Sequence, residues 1–343
     1  ACLIKEVTTK SDMQDHAQRL LNQDLYENGD SSCIFRLQDP QQSKSVMLML
    51  LNNLAENPSE RMVKILATYI EHQLVTEKPL MTEYFDFIYR GYLSENLQMQ
   101  KTSVQMVAGL CLIKFELLKQ TTFNFIEFLQ TAIQHPNNDV SIQAVDALCC
   151  LIMDNDGIEW KPAFSGEKIN QILSELLSRI GPTLQNKDQK LDTKMMTSLS
   201  NFVHVFGQGV VNYAPNIIQQ LEEIMHNDFE EGVKCGAVFA FISMIQECVG
   251  VRSTMIEQIL GFVQAHIIPN LVPNQEELID QWLNGDVENQ QNENSIDQLA
   301  ALCVAAIAST MSKQIMPLLR EVIYQATTSD QFELQCAAVK AIS

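Results

Sequence analysis

A nine-residue pattern of apolar and polar positions recurs along the chain and predicts amphipathic helices. It is clearest at residues 140–148, 233–241 and 334–342, which read VSIQAVDAL, VKCGAVFAF and LQCAAVKAI. Apolar or small residues occupy positions 1, 3, 5, 6, 8 and 9, and Ala-Val occupies positions 5 and 6 in all three segments. Weaker copies begin at Met62, Met99, Leu191 and Ile296. Self-similarity at a nearly constant interval is typical of a repeat array.

The spacing of these segments predicts the fold. Their starts, at residues 62, 99, 140, 191, 233, 296 and 334, are 37, 41, 51, 42, 63 and 38 residues apart. Intervals of about 40–47 residues are typical of HEAT and armadillo repeats, which are built from packed helices. We therefore predict an all-α, HEAT/armadillo-type α-α solenoid of about seven helical pairs, each with an outer helix A and an inner helix B. The B helices begin near the seven starts, and the A helices are predicted at 41–55, 79–93, 122–135, 168–181, 213–226, 254–268 and 313–327.

Turn signals mark several helix ends. Pro58 suits the first position of a helix, and Asp139 suits an N-cap before Val140. Gly207 and Gly209 suit the end of the helix that precedes them. No stretch of alternating β-branched residues is bounded by turn signals, so we expect strands to be nearly absent.

Two intervals are longer than a repeat needs, which predicts insertions at 154–162 and 274–294. The second is rich in Asn and Gln and contains no Lys or Arg. It is either an acidic loop that grips a basic partner, with Trp282 packing the loop down or contacting that partner, or a solvated loop anchored by Trp282. The candidate protein-binding residues of this acidic insertion are Glu276, Glu277, Asp280, Trp282, Asp286, Glu288 and Glu293.

A second group of carboxylates precedes the repeat that begins at Val233. Its members are Glu222, Glu223, Asp228, Glu230 and Glu231. Carboxylates near a helix N-terminus are stabilised by the helix dipole, which explains three of the five without any partner. A basic partner protein is the functional alternative, so Glu222, Glu223, Glu230 and Glu231 are further candidate protein-binding residues.

Composition narrows the class of protein. The chain has 343 residues, more than one compact core usually holds, and a solenoid avoids that limit because each repeat packs only on its neighbours. The net charge of −19 argues against direct nucleic-acid binding and favours basic protein partners. Nine cysteines, mostly on apolar helix faces, indicate reduced thiols in the cytoplasm or nucleus. We see no signal peptide and no charge-free run of about 18 apolar residues, and expect no membrane insertion.

No catalytic, metal or cofactor site is predicted, so we expect a protein that is not an enzyme. Residues 154–157, Asp-Asn-Asp-Gly, place glycine at the fourth rather than the sixth position of a calcium loop. Residues 207–209, Gly-Gln-Gly, lack the third glycine of a dinucleotide site. Cys149 and Cys150 are adjacent, and no cluster has zinc spacing. His204 lies among apolar residues, where a core or groove histidine is a simpler interpretation than a ligand or base.

The C-terminal part of the chain resembles a known family. His266-Ile267-Ile268-Pro269-Asn270-Leu271 is followed by residues 276–284, an acidic stretch, and a return to helix at 295–302. This order is similar to part of the importin-β (karyopherin) superfamily of nuclear transport receptors, and closest to the importin-α exportin and related importins. Residues 285–288, Gly-Asp-Val-Glu, stand where those relatives have an Asp-Pro-Glu-Glu-like step. The helix pair from Met316 to Ile342 resembles the repeat that follows.

The resemblance implies a function. A receptor of this family binds cargo protein on its B helices, and the GTPase Ran in its GTP form changes the curvature of the receptor and its affinity for cargo. The A helices bind phenylalanine–glycine repeats of nucleoporins. We therefore expect a single superhelix over residues 1–343, part of a longer protein, that moves between cytoplasm and nucleus. The alternatives are a HEAT scaffold of a phosphatase, ubiquitin-ligase or ciliary assembly, and helical repeats attached to a catalytic domain.

Overall fold

The chain folds into successive pairs of antiparallel helices, as the repeat pattern predicts. The computed structural model describes residues 40–56, 58–75, 82–111, 123–153, 166–185, 189–271 and 295–328, together with residues 113, 118 and 121. These residues contain helices and turns and no strand. The all-α HEAT-type solenoid is therefore confirmed.

The chain divides into two compact units, Ala1–Lys161 and Pro162–Ser343. The helices described in the first unit are α1 (Pro40–Glu56), α2 (Glu60–Val75), α3 (Thr82–Tyr92), α4 (Leu97–Cys111), α5 (Phe125–Ile133) and α6 (Asn138–Met153). Those of the second unit are α7 (Gly166–Gln185), α8 (Gln189–Phe206), α9 (Ala214–His226), α10 (Glu231–Glu247), α11 (Val249–Thr254), α12 (Ile256–Phe262) and α13 (Ile296–Thr327). A 3₁₀ segment, Gly207–Tyr213, joins α8 to α9, and a π-helical turn, Val263–Ile267, follows α12.

Helices A and B pack against each other within a repeat, and B helices also pack on the B helices of neighbouring repeats. In the first unit α1, α3 and α5 are A helices and α2, α4 and α6 are B helices. In the second unit α7 and α9 are A helices, α8 and α10 are B helices, and α12 with the π-helical turn forms the next A helix. The B helix predicted at residue 334 and the insertion predicted at 154–162 lie outside the described residues.

The register explains which side chains form the core. Positions 5, 8 and 9 are buried in all six described copies, and position 5 is occupied by Leu66, Ser103, Ala144, Met195, Ala237 and Ala300. Position 3 is buried only at Ile142 and Cys235, and the four weaker copies have the polar residues Lys64, Lys101, Thr193 and Gln298 there, half-buried or exposed. Positions 5, 8 and 9 are three and four residues apart and therefore share one helix face, whereas position 3 lies beside it.

The last long helix, α13, is two helices of the solenoid joined by a kink. Met311 has non-helical backbone angles, φ −134° and ψ 36°, which separate a B helix from the following A helix. Residues 296–321 of α13 form the one described helix long and apolar enough to cross a membrane. The kink at Met311 divides that stretch into two shorter helices, so it fits a pair of packed solenoid helices.

The predicted helix ends are correct in part. Gly207 follows the end of α8 with a φ of +31°, as its residue type suggests. Asp139 is not the N-cap of α6: the Asn137 side-chain oxygen accepts the hydrogen bond from the Val140 N–H at 3.3 Å. Pro58 does not begin α2 either, because the carbonyl of Ser59 accepts the first helical bond, from the Val63 N–H at 3.1 Å. Asn137, two residues before Asp139, is therefore the residue that caps α6. Ser59, one residue after Pro58, takes the N-cap position of α2.

Candidate partner-binding face

The B helices of each unit expose one stripe of side chains, which we call the B-helix face. Register position 7 lies in this stripe. Its six described residues, all exposed or half-buried, are Thr68, Gln105, Asp146, Thr197, Phe239 and Leu302. Because A helices and neighbouring B helices cover the other sides of each B helix, the B-helix face is the side left for a partner.

In the first unit the B-helix face is polar and carries charges of both signs. Lys101 on α4 forms an ion pair with Asp139 on α6, with 2.8 Å between the Lys101 Nζ and the Asp139 Oδ2. The other Asp139 oxygen accepts a hydrogen bond from the Gln143 side chain at 2.9 Å. The paired side chains are about a quarter exposed, so this contact adds less than about 1 kcal/mol of stability while fixing the position of the Asp139 carboxylate.

In the second unit, polar side chains bridge α8 and α10. The hydroxyls of Ser200 and Ser243 are 3.1 Å apart, and the His204 Nδ1 lies 3.2 Å from the Glu247 Oε1. Of the two interpretations of His204, core or groove residue, the core one is wrong, since 48% of its side chain is exposed. The apolar residues that flank it in sequence point to the other side of the helix, which leaves His204 on the B-helix face.

Two apolar residues interrupt this polar face in the second unit. Phe239 on α10 is 37% exposed and Leu302 on α13 is 54% exposed. They occupy position 7 in neighbouring B helices, where the other described copies have Thr, Gln or Asp. The sequence alone does not single them out, because an apolar residue within an apolar segment is expected in the core. The register does separate them from the core, since position 7 is not one of the apolar positions that the repeats share.

The second carboxylate group lies around the turn between α9 and α10. Glu222 and Glu223 occupy the last turn of α9, and Glu223 Oε1 accepts a hydrogen bond from the Gln219 side chain at 3.2 Å. Glu230 is the N-cap residue of α10, with extended backbone angles. Glu231 Oε1 accepts the Ile296 backbone N–H at 3.1 Å, so it caps α13 in the next repeat. Glu231 thus has a structural role that explains its presence without a partner.

A histidine pair lies beside the Glu222 end of this group. His266, in the π-helical turn, is 8% exposed, and its ring centroid is 5.5 Å from that of His226 and 5.1 Å from that of Phe262. Burial is the main cause that lowers the pKa of His266. Nearby His226 lowers it further, and Glu222 opposes the shift. His266 therefore packs as a neutral aromatic ring between neighbouring A helices.

The acidic insertion lies outside the described residues, so its candidates stay predictions. They are Glu276, Glu277, Asp280, Trp282, Asp286, Glu288 and Glu293. Leu271 and Ser295, which flank the insertion in sequence, are described. Ser295 comes directly before α13, and Glu231 caps the first residue of that helix.

Four of the described thiols, those of Cys149, Cys235, Cys248 and Cys303, lack the chemistry of nucleophiles. Burial raises the pKa of Cys235 to about 12 and that of Cys248 to about 11. Burial also raises the pKa of Cys149 and of Cys303. Because the thiolate is the reactive form, these four cysteines behave as packing residues. Within the described residues, no group of three or more His, Cys, Asp or Glu side chains is arranged to hold a metal ion.

No protein-family model matches the sequence, and no curated protein matches it. The solved structures that resemble it include the karyopherin Kap121p bound to the extreme C-terminus of the protein phosphatase Cdc14p, with a TM-score of 0.66 at 15% identity. Kap121p bound to RanGTP matches with a TM-score of 0.62 at 14% identity, and Kap121p bound to Nup53p with 0.61 at 14%.

Each of these matches covers 99% of this chain, and 32%, 35% and 36% of the respective neighbour. The chain therefore spans about a third of the length of the neighbours it resembles. At this level of identity the likeness shows the fold alone: an α-helical solenoid like that of Kap121p.

Proposed function

We propose that this chain is part of a nuclear transport receptor that carries a protein cargo under the control of the GTPase Ran. The observation that carries the proposal is the likeness of nearly the whole chain to karyopherin solenoids. The resemblance of residues 266–302 to importin-β relatives supports it independently. On this proposal the protein is not an enzyme, and it moves between cytoplasm and nucleus.

The cargo site of this proposal is the B-helix face. A net charge of −19 favours a basic cargo protein, because opposite charge steers association and complements the bound surface. The proposed cargo contacts are Glu230, at the N-terminus of the B helix α10, and the acidic insertion, together with Glu222 and Glu223 on the A helix α9, outside the B-helix face. Asp146, half-buried on α6, adds a carboxylate to the B-helix face of the first unit, whereas the Asp139 carboxylate is already paired with Lys101.

The proposed nucleoporin site is on the A helices. Tyr89 on α3 is 43% exposed, and its ring lies over Phe123 and Phe128, at centroid distances of 4.9 and 6.0 Å. Leu93, directly after α3, is 79% exposed. Exposed apolar surface of this kind, rimmed by polar residues, is typical of protein-interaction sites. A phenylalanine side chain of a nucleoporin repeat fits the chemistry of this surface.

Binding to Ran tests the proposal most directly. The full-length protein, immobilised, is offered Ran loaded with GTP or with GDP, at low and at high salt. We expect it to retain the GTP form, and to release a basic cargo when that form binds. Failure to bind GTP-loaded Ran at low salt would contradict the proposal. A stable stoichiometric complex that is indifferent to the nucleotide on Ran would indicate a scaffold of another assembly.

The nucleoporin contact has its own test. A peptide of phenylalanine–glycine repeats is offered to the native protein and to a Tyr89→Ser variant, with Tyr324→Ser as the matched control. Tyr324 is 71% exposed on the A half of α13, in the second unit. We expect weaker binding for Tyr89→Ser alone. Equal loss in both variants would mean that the peptide does not use the Tyr89 surface.

A further inference from the structure

The outer side of the A half of α13 carries a stripe of basic and apolar side chains. This half begins after the kink at Met311 and ends at Thr327. Its residues 313, 317, 320 and 324 are Lys, Pro, Arg and Tyr, and all four are exposed. They are four, three and four residues apart, so they share one helix face. Met316, 41% exposed, borders that face, and we call these five residues the α13 outer stripe.

The α13 outer stripe differs from the other A helices of the second unit. In the described residues of α7, of α9, and of α12 with its π-helical turn, no large apolar side chain is exposed. Each of these helices also exposes a carboxylate: Glu167, Glu223 and Glu257. The stripe itself contains two cations and no carboxylate, and Glu321 lies at its edge. Its local charge is therefore positive on a chain whose net charge is −19.

The charge of the stripe narrows the class of partner. Charges more than about 8 Å away are largely screened at physiological salt, so a bound group responds mainly to Lys313 and Arg320. Two cations favour a carboxylate ligand, but lipid-binding sites cluster about four to eight. The net charge of −19 repels nucleic acid and a second copy of the chain. An acidic protein segment with an apolar side chain for Tyr324 and Met316 matches the whole stripe.

The spacing along the helix sets the spacing required in the partner. At 1.5 Å per residue, Arg320 and Tyr324 are about 6 Å apart along the axis, and Lys313 and Arg320 about 10 Å. An extended segment advances about 3.3 Å per residue, and only every second side chain lies on the same face. Side chains two residues apart are therefore about 7 Å apart, which matches Arg320 and Tyr324. Side chains four residues apart span about 13 Å, and the flexible Lys313 side chain covers the difference.

We propose that the α13 outer stripe is a docking site for an extended acidic segment of a partner protein. Two carboxylates of the segment, four residues apart, pair with Lys313 and Arg320. An apolar side chain two residues beyond the second carboxylate packs on Tyr324 and Met316. The site is independent of the proposed function, because it lies on an A helix and takes an acidic ligand. The proposed cargo is basic, and a phenylalanine–glycine repeat needs no carboxylate.

The test uses fluorescein-labelled fourteen-residue peptides and the full-length protein at about 0.1 M salt. Each peptide is a Gly/Ser chain with two Glu residues four apart and one Leu. The Leu is placed two or three residues beyond the second Glu, in both chain directions. Control peptides have Gln in place of both Glu residues, or Ser in place of Leu.

Fluorescence polarisation measures the affinity of each peptide for the native protein and for three variants. Arg320→Glu and Tyr324→Ser change the stripe. Lys168→Glu is the matched control, because Lys168 is exposed on the A helix α7 and its replacement changes the net charge equally.

We expect the two-residue spacing to bind about threefold or more tightly than the three-residue spacing, which turns Leu to the opposite face. Arg320→Glu should weaken binding about fivefold, whereas Lys168→Glu should not. A peptide with Lys in place of the second Glu should bind Arg320→Glu more tightly than the native protein. Tyr324→Ser should abolish the preference for Leu over Ser. Equal affinity of the Glu and Gln peptides for the native protein, or equal loss in Arg320→Glu and Lys168→Glu, overturns the proposal.

Three further measurements identify a different occupant. Sedimentation that shows a dimer of the native protein, lost in Arg320→Glu, would assign the stripe to a second copy and overturn the proposal. Binding to phosphatidylserine vesicles that is lost in Arg320→Glu would assign it to a membrane surface, with the same consequence. Tighter peptide binding by a Glu276→Gln, Glu277→Gln double variant would assign it to the acidic insertion of this chain and also overturn the proposal.

Discussion

Gly236 allows α10 to approach α8 closely, and a single methyl group at this position tests how tightly the B helices pack. A Cβ added to Gly236 would lie 2.5 Å from the Cβ of Met196. Apolar carbons in contact prefer about 3.5–4.0 Å, so the two atoms would be about 1 Å or more too close. Rotating the Met196 side chain does not move its Cβ, and one helix backbone must shift instead.

The size of the effect follows from two opposing contributions. Overpacking a closely packed interface by one methyl group typically costs about 1–3 kcal/mol. Replacing Gly by Ala inside a helix stabilises the folded state by about 1 kcal/mol, because Ala has the higher helix propensity. Gly261→Ala is the matched control, because Gly261 lies in α12 and a Cβ added there would have no atom within 4 Å. The helix preference is common to both variants, so their difference in stability should be about 1–3 kcal/mol.

Hydrogen exchange resolved by mass spectrometry is the suitable assay, because a solenoid can open repeat by repeat. We expect peptides from α8 and α10 to exchange about 5- to 150-fold faster in Gly236→Ala than in Gly261→Ala, since each 1.4 kcal/mol is tenfold. Peptides from the first unit should exchange equally in both variants. Equal protection of α8 and α10 in the two variants would refute the close approach of these helices.

Three further variants or conditions probe the second unit. Phe241→Ala should lower the free energy of unfolding, measured in urea, by about 3–5 kcal/mol. The reason is that Phe241 is 0% exposed and its ring is stacked 4.1 Å from that of Phe262. A loss below about 1 kcal/mol would contradict this packing. Because burial and His226 lower the pKa of His266, the unfolded state binds its proton more readily, so stability should fall as the pH drops below 6.5. His266→Gln should flatten that part of the pH profile, and an unchanged slope would refute the assignment. Burial raises the pKa of Cys248 to about 11, so its thiol should resist alkylation by iodoacetamide at pH 8 until the protein unfolds. Peptide mass spectrometry measures the alkylated fraction. Rapid labelling of the folded protein would show that the thiol is accessible.

The repeat register predicted the order of the helices because burial of positions 5, 8 and 9 depends only on local periodicity. Helix ends were predicted less well because they depend on single side chains. The A helix predicted at 122–135 begins at Phe125, since the Asn124 side chain accepts the Glu127 N–H at 3.2 Å and caps it. The helix predicted at 168–181 runs from Gly166 to Gln185 and continues through Pro182, a residue that usually ends a helix.

The candidate site was harder to predict than the fold. The sequence marks acidic groups, yet it does not show that Glu231 caps a helix 65 residues away. It also does not show that His204 lies opposite Glu247, because that contact joins two repeats. Contacts between repeats depend on how far one helix is shifted along the next. Small residues such as Gly236 set how closely neighbouring B helices approach, and this distance is defined only once both helices are in place.

Position 7 is where a solenoid of this kind can change its partner without changing its fold. Positions 5, 8 and 9 hold each B helix against its neighbours, so substitutions there alter packing. Position 7 is the one register position from 5 to 9 that is exposed or half-buried in every described copy, and it already varies between Thr, Gln, Asp, Phe and Leu. A polar residue at Phe239 or Leu302 would therefore remove apolar contact area from the B-helix face at little cost in stability. The polar residues at Thr68, Gln105 and Thr197 show that such a choice is compatible with the fold.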